Sequence, residues 1–113
     1  MITIYHNPRC SKSREAYQII ESAKKDFEVV KYLDDRISEE KLKDIISLLD
    51  IKPIELVRAQ EAIWKEHFKN KELSDDEVIQ AMLTYPKLIE RPIVINGSKA
   101  VIGRPPSIVL DII

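Results

Sequence analysis

The chain reads as an α/β protein on a thioredoxin-like plan: a β-α-β half and a β-β-α half share one mixed sheet, with a helical insertion between them. Three observations predict this. Near the N-terminus, two short β-rich segments flank an apolar run with helical spacing. Near the C-terminus, "PIVINGSKAVI" spells a hairpin, followed by an apolar tail. Between the halves, approximately 38–88, lie helical patterns interrupted by prolines.

The elements follow in order. "ITIY" (2–5) is β-branched and aromatic and reads as a strand, broken by Asn7-Pro8. Ala16, Ile19, Ile20 and Ala23 recur at i, i+3, i+4 and i+7, one apolar face of a helix from about Ser11 to Lys24. "FEVVKYL" (27–33) is a second strand. A strand, a crossover helix and a strand make a βαβ unit, with parallel strands and right-handed connection. Ser38 can cap the next helix, whose first turn carries Glu39 and Glu40 and whose stripe is Leu42, Ile45, Ile46 and Leu49, with Pro53 as the stop. Residues 54–69 look helical but broken. "SDDE" (74–77) fits a capping box, Val78, Ala81, Met82 and Tyr85 form the stripe, and Pro86 ends that helix. In the hairpin, strands 92–95 and 98–102 meet at Asn96-Gly97, which suits a type I′ turn. "SIVLDII" (107–113) reads as a final helix after the Gly103-Arg104-Pro105-Pro106 stop.

At 113 residues the expectation is a single domain, 1–113, large enough for its own core. A formal net charge of −1 provides no broad field for nucleic acid or an anionic membrane, so any anion site must be local. No apolar run approaches a membrane span, and "MITIYHN" lacks the basic and apolar regions of a secretory signal. One cysteine excludes an internal disulfide and points to a reducing, cytoplasmic setting.

That cysteine, Cys10, falls where the first strand gives way to the first helix. The leading N–H groups of a helix have no intrahelical partner, and the dipole places partial positive charge there. Both favour a thiolate, as would Arg9, Lys12, Arg14 and His6 nearby. Such settings bring a thiol from about 8.5 down to roughly 3.5–7.5 and make an anion pocket of the same spot. The alternative is a buried, inert cysteine; polar and charged neighbours on both sides weigh against it. His6 and Ser13 could equally be a surface residue and an ordinary first-turn serine.

"ITIYHNPRCSKSR" at the N-terminus, "RPIVI" at 91–95 and "GRPPSIVLDII" at 103–113 together resemble the glutaredoxin-coupled arsenate reductase family over nearly the whole chain. The resemblance implies a thioredoxin-like fold and a nucleophilic Cys10. It implies three oxyanion-binding arginines, Arg58 in "ELVRAQE", Arg91 in "ERPIV" and Arg104 in "IGRPP". It also implies supporting roles for His6, Ser13 and Arg14, and a cis bond before Pro92. Arsenate as substrate, glutathione as co-substrate and glutaredoxin as protein partner come with the family, with no bound cofactor or metal. Arginine suits the task, since its planar fork meets a multiply accepting anion bidentately. The chain departs from the family's well-established reductases at Arg9 and Ser11-Lys12, where they carry smaller residues; that bears on the substrate rather than on the fold or the thiol.

Two other readings keep the same thiol. One is a glutathione-dependent oxidoreductase acting on another substrate. The other is an Spx-like regulatory protein that binds RNA polymerase, although Ser13 stands where the Cys-x-x-Cys pair of such sensors would need its second cysteine. Trp64 and Phe68, four apart in the insertion, read as packing residues, and His67 has no companion at metal-ligand spacing.

Overall fold

The computed structural model describes residues 1–113. Its four strands are β1 (Ile2–Tyr5), β2 (Phe27–Val30), β3 (Ile93–Asn96) and β4 (Lys99–Ile102), in sheet order β2-β1-β3-β4. β1 pairs parallel with β2, Ile4 opposite Val29, and antiparallel with β3, Ile4 opposite Val94. β3 and β4 are antiparallel. The helices are α1 (Ser11–Ser22), α2 (Glu39–Leu49), α3 (Ala62–His67) and α4 (Asp75–Thr84). This is the thioredoxin-like mixed sheet with its helical insertion. No helix is long and apolar enough to cross a membrane.

The chain divides into two compact units, Met1–Asp35 with Arg91–Ile113, and Arg36–Glu90. In the first, α1 lies on the sheet beside a 3-10 helix over Pro106–Asp111. Ile2, Ile4 and Val94 from the sheet, Ala16 and Ile20 from α1 and Val109 from the 3-10 helix form one buried cluster. The buried face of α1 is rotated from the expected stripe: Ser13, Ala16 and Ile20 are buried, whereas Ile19 and Ala23 are only partly covered. A serine therefore occupies a core position at the start of this helix, and periodicity computed on apolar residues alone passes over it.

In the second unit α2 begins at Ser38, whose hydroxyl accepts the Lys41 N–H at 3.1 Å. It ends at Asp50, which takes the left-handed conformation (φ 55°), so the helix stops before Pro53 is reached. The broken stretch resolves into a 3-10 turn over Pro53–Leu56 and the short α3. α4 opens on a full capping box: Glu77 N–H to Ser74 Oγ at 3.2 Å and Ser74 N–H to Glu77 Oε1 at 3.0 Å. Ile79 joins Val78, Ala81 and Met82 in the core, and Tyr85 stays partly exposed, against His67 and Phe68.

Two local expectations give way. The hairpin does not turn on Asn96-Gly97 as a type I′ pair: Asn96 is the last residue of β3, paired with Lys99, and only Gly97 (φ 63°) is left-handed. Gly97-Ser98 are the central residues, and positive φ at the first alone belongs to the type II′ family. The Asn96 side chain instead donates to the Ile112 carbonyl at 2.6 Å and holds the C-terminus to the sheet. The final helix is 3-10, with Ile108 N–H to Pro105 O and Ile112 N–H to Val109 O bonds. Two leading prolines lack N–H groups, and the segment is too short to repay an α-helical nucleus.

Candidate active site

The loop from β1 to α1 is built by Asn7 and Pro8. Cys10 N–H donates to the Asn7 carbonyl at 3.0 Å, closing a four-residue turn with proline at its second position, where its fixed φ belongs. Cys10 is then the N-cap of α1, in extended conformation (φ −97°, ψ 124°), and no side-chain oxygen caps this helix. The sulfur stands where a capping oxygen would. Its surroundings compete. Partial burial pushes the thiol up, but the backbone N–H groups of Ser13 and Lys12 and the Arg91 guanidinium act the other way. The balance holds Cys10 below the ordinary thiol value.

Arg91 precedes β3 and Arg104 follows β4, so the two strands of one hairpin bring both to the end of the sheet at which β1 delivers the thiol loop. The Arg91–Pro92 and Arg104–Pro105 bonds are both cis. Gly103 N–H donates to the Pro92 carbonyl at 2.8 Å, and a Cβ on Gly103 would lie 2.8 Å from Pro92 Cγ, so only glycine admits this approach. The contact sets Arg104 beside Arg91: Arg104 Nε donates to the Arg91 carbonyl at 2.8 Å, and Arg104 Nη2 reaches Cys10 Sγ at 3.6 Å. Two guanidinium groups and a helix N-terminus thus meet at one partly exposed sulfur, an arrangement that favours a thiolate and a bound oxyanion alike.

Behind the sulfur lies a buried polar group. His6, Asn7 and Ser13 are each under a tenth exposed. Ser13 Oγ accepts the Asn7 N–H at 3.0 Å and lies 2.6 Å from His6 Nδ1. The His6 ring stacks on Tyr17, centroids 5.3 Å apart. Burial first, then the positive charges of Lys31 and Arg14, lower the His6 pKa, so the imidazole stays neutral at pH 7. Arg14 does not point at the thiol; its Nη1 donates to the Pro8 carbonyl at 3.0 Å and braces the loop from outside.

Arg58 belongs to the 36–90 unit. A single antiparallel bridge pairs Val57 with Ile89, with Arg58 N–H to Leu88 O at 2.7 Å and Glu90 N–H to Leu56 O at 2.8 Å. The Arg58 guanidinium lies 3.3 Å from Glu61 and 3.5 Å from Glu90. No group of three or more His, Cys, Asp or Glu side chains is placed to hold a metal ion.

Of the residues the sequence nominates, Cys10, Arg91, Arg104, His6 and Ser13 come together here, Arg14 braces the loop and Arg58 pairs with Glu61 and Glu90. Asn7, read only as a break, and Gly103, read only as a stop, were missed. Asn-Pro after a strand was the available signal for the first, since asparagine at the first position of a turn bonds its own downstream backbone. For Gly103 there was none, because its neighbour Pro92 is remote in sequence.

Comparison with known proteins is consistent along the whole chain. A family model described as the ArsC family matches residues 5–112. An uncharacterized protein of Escherichia coli K12 is 44% identical over 99% of this chain and 96% of its own. An arsenate reductase of Haemophilus influenzae is 40% identical over 99% of this chain and 98% of its own. Among solved structures, an arsenate reductase from Vibrio cholerae superposes with a TM-score of 0.93 at 42% identity, covering 99% of this chain and 97% of the other.

Proposed function

The chain belongs to the ArsC family, and on that premise we propose that it is an arsenate reductase working through Cys10, with glutathione as co-substrate and glutaredoxin as protein partner. One observation carries the reading: the sulfur sits over the first turn of α1 with Arg91 and Arg104 at hand. A tetrahedral oxyanion placed there meets N–H donors and two guanidinium groups while lying against a nucleophile.

The Cys10 thiolate attacks arsenic(V). An As–S bond forms and an As–O bond breaks, the oxygen leaving as water once protonated. Arg91 and Arg104 hold the remaining oxygens and take up the charge that shifts onto them. Arg58 enters as the third anion-binding arginine on the resemblance of its motif. Arsenic is still in the +5 state in this adduct. Glutathione supplies the second sulfur: its thiol attacks the adduct, arsenite departs with the electron pair, and a Cys10–glutathione disulfide remains. Glutaredoxin then reduces that disulfide. With a single cysteine in the chain, both the second sulfur and the final reduction must come from outside, which fits a reducing, cytoplasmic compartment.

The test is arsenite formation in the presence of glutathione and glutaredoxin. Wild-type protein is expected to turn over, and Cys10→Ser to lose activity to background while unfolding near the wild-type temperature, since the side chain is only partly buried. Activity in Cys10→Ser at the wild-type level would remove the nucleophile. Reduction of glutathione mixed disulfides without arsenate turnover would mark an oxidoreductase of different substrate.

A further inference from the structure

We propose that Asn7 is a positioning residue for the nucleophile: bonds from its side chain and both its backbone groups set the loop that holds the Cys10 sulfur over the first turn of α1. Three contacts carry this. The Asn7 carbonyl accepts the Cys10 N–H at 3.0 Å, the side-chain Oδ1 accepts the Arg9 N–H at 3.0 Å, and the Asn7 N–H donates to Ser13 Oγ at 3.0 Å. The first two close a backbone turn and a side-chain turn over the same residues. The third ties that turn to Ser13, whose own N–H faces the sulfur. Asn7 is therefore bonded to both ends of the arc on which the sulfur depends.

A surface loop rarely needs such bracing. Here the demand is specific, because Cys10 must be extended while Ser11 is already helical. A small rotation of the Pro8-Arg9 peptide would swing Sγ off the Lys12 and Ser13 N–H groups. Asn7 is buried, so water does not readily replace its Oδ1 if it is removed. The charged groups facing the sulfur are Arg91 and Arg104, with Arg9 and Lys12 on the loop and first turn themselves; the titratable but neutral His6 lies behind Ser13. Removing Asn7 alters none of these charges, so a change in thiol ionisation reports a displaced sulfur.

The inference rests on Cys10 being the nucleophile, and its test needs no arsenate. The rate of iodoacetamide alkylation is followed against pH for wild type, Asn7→Ala and Asn7→Ser, beside thermal unfolding of each. Asn7→Ala is expected to move the ionisation midpoint up by about one pH unit, towards the ordinary thiol, and to lower arsenate kcat about tenfold with little change in KM. Asn7→Ser, which keeps a shorter acceptor, is expected to fall between the two. A wild-type midpoint in either variant overturns the proposal, whatever happens to stability. Should Asn7→Ala fail to fold, Asn7→Ser decides alone by the same criterion. Wild-type protein whose own midpoint is depressed but which leaves arsenate unreduced would refute the assigned substrate and leave the role of Asn7 standing.

Discussion

Two helices of the 36–90 unit, α2 and α4, begin in the opposite way to the helix that carries the thiol. α2 and α4 open on serine caps, and their first turns carry Glu39 and Glu40, and Asp75, Asp76 and Glu77. Acid side chains face their positive dipole ends, and a serine oxygen takes one leading N–H of each, Lys41 in α2 and Glu77 in α4. α1 has no capping oxygen and no acid in its first turn. It presents its N–H groups to a sulfur and, in the proposed function, to an anion. The same division runs through the cores. All three buried polar residues, His6, Asn7 and Ser13, belong to the thiol-bearing unit, and every buried residue of the 36–90 unit is apolar or proline. α2 and α4 follow the ordinary rules of helix capping, whereas the start of α1 departs from them around Cys10, where the leading N–H groups face the sulfur.

Three substitutions break or sharpen this contrast. The largest effect is expected from Arg91→Ala, which takes one guanidinium from the sulfur. Arsenate kcat/KM should fall about 10²–10³-fold, as when one charge-stabilising donor is deleted from an active site, and the thiol ionisation midpoint should rise; steady-state kinetics and alkylation against pH measure both. Retained turnover would show that Arg91 holds no oxyanion. Next, Ser74→Ala opens the capping box of α4 and should lower unfolding free energy by about 1 kcal/mol, read from denaturant titration, with arsenate kinetics unmoved. A matching loss of activity would deny that the capped helices serve the fold alone. The smallest effect belongs to Ser11→Glu, which gives α1 the acidic start its counterparts have. Stability should rise by about 0.3–1 kcal/mol, while the new charge raises the thiol midpoint and slows arsenate reduction severalfold. Gains in both stability and rate would mean that the bare helix end does no work for the thiol.

Legibility in the sequence followed distance along the chain. β1, β2 and the hairpin, and the helices with their serine caps, could be read because each depends on neighbours within a few residues. At two places where a local reading slipped, a remote contact had intervened. Asn96 looked like a turn residue and is instead a strand residue committed to the Ile112 carbonyl. Ile19 looked like core and is only partly covered, while Ser13, in contact with His6 and Asn7, is buried on the same helix. The candidate nucleophile was visible in sequence, since a lone cysteine among cations at a strand-to-helix junction is a local pattern. The basis for Arg91 and Arg104 was a resemblance of motifs, with no physical signal linking either to Cys10.

By itself, then, the chain's order of residues determined its elements and the place of its one thiol at a helix start. Tertiary structure alone decided that Arg104, 94 residues from Cys10, should touch it. That meeting depends on the register of β1 against β3, on the hairpin that returns β4, and on a glycine packed against the Pro92 ring. The physical reason is one of range. Backbone propensity, capping and turn chemistry act over three or four residues, whereas convergence of charge on a sulfur is set by sheet pairing and close packing between segments that no local rule relates.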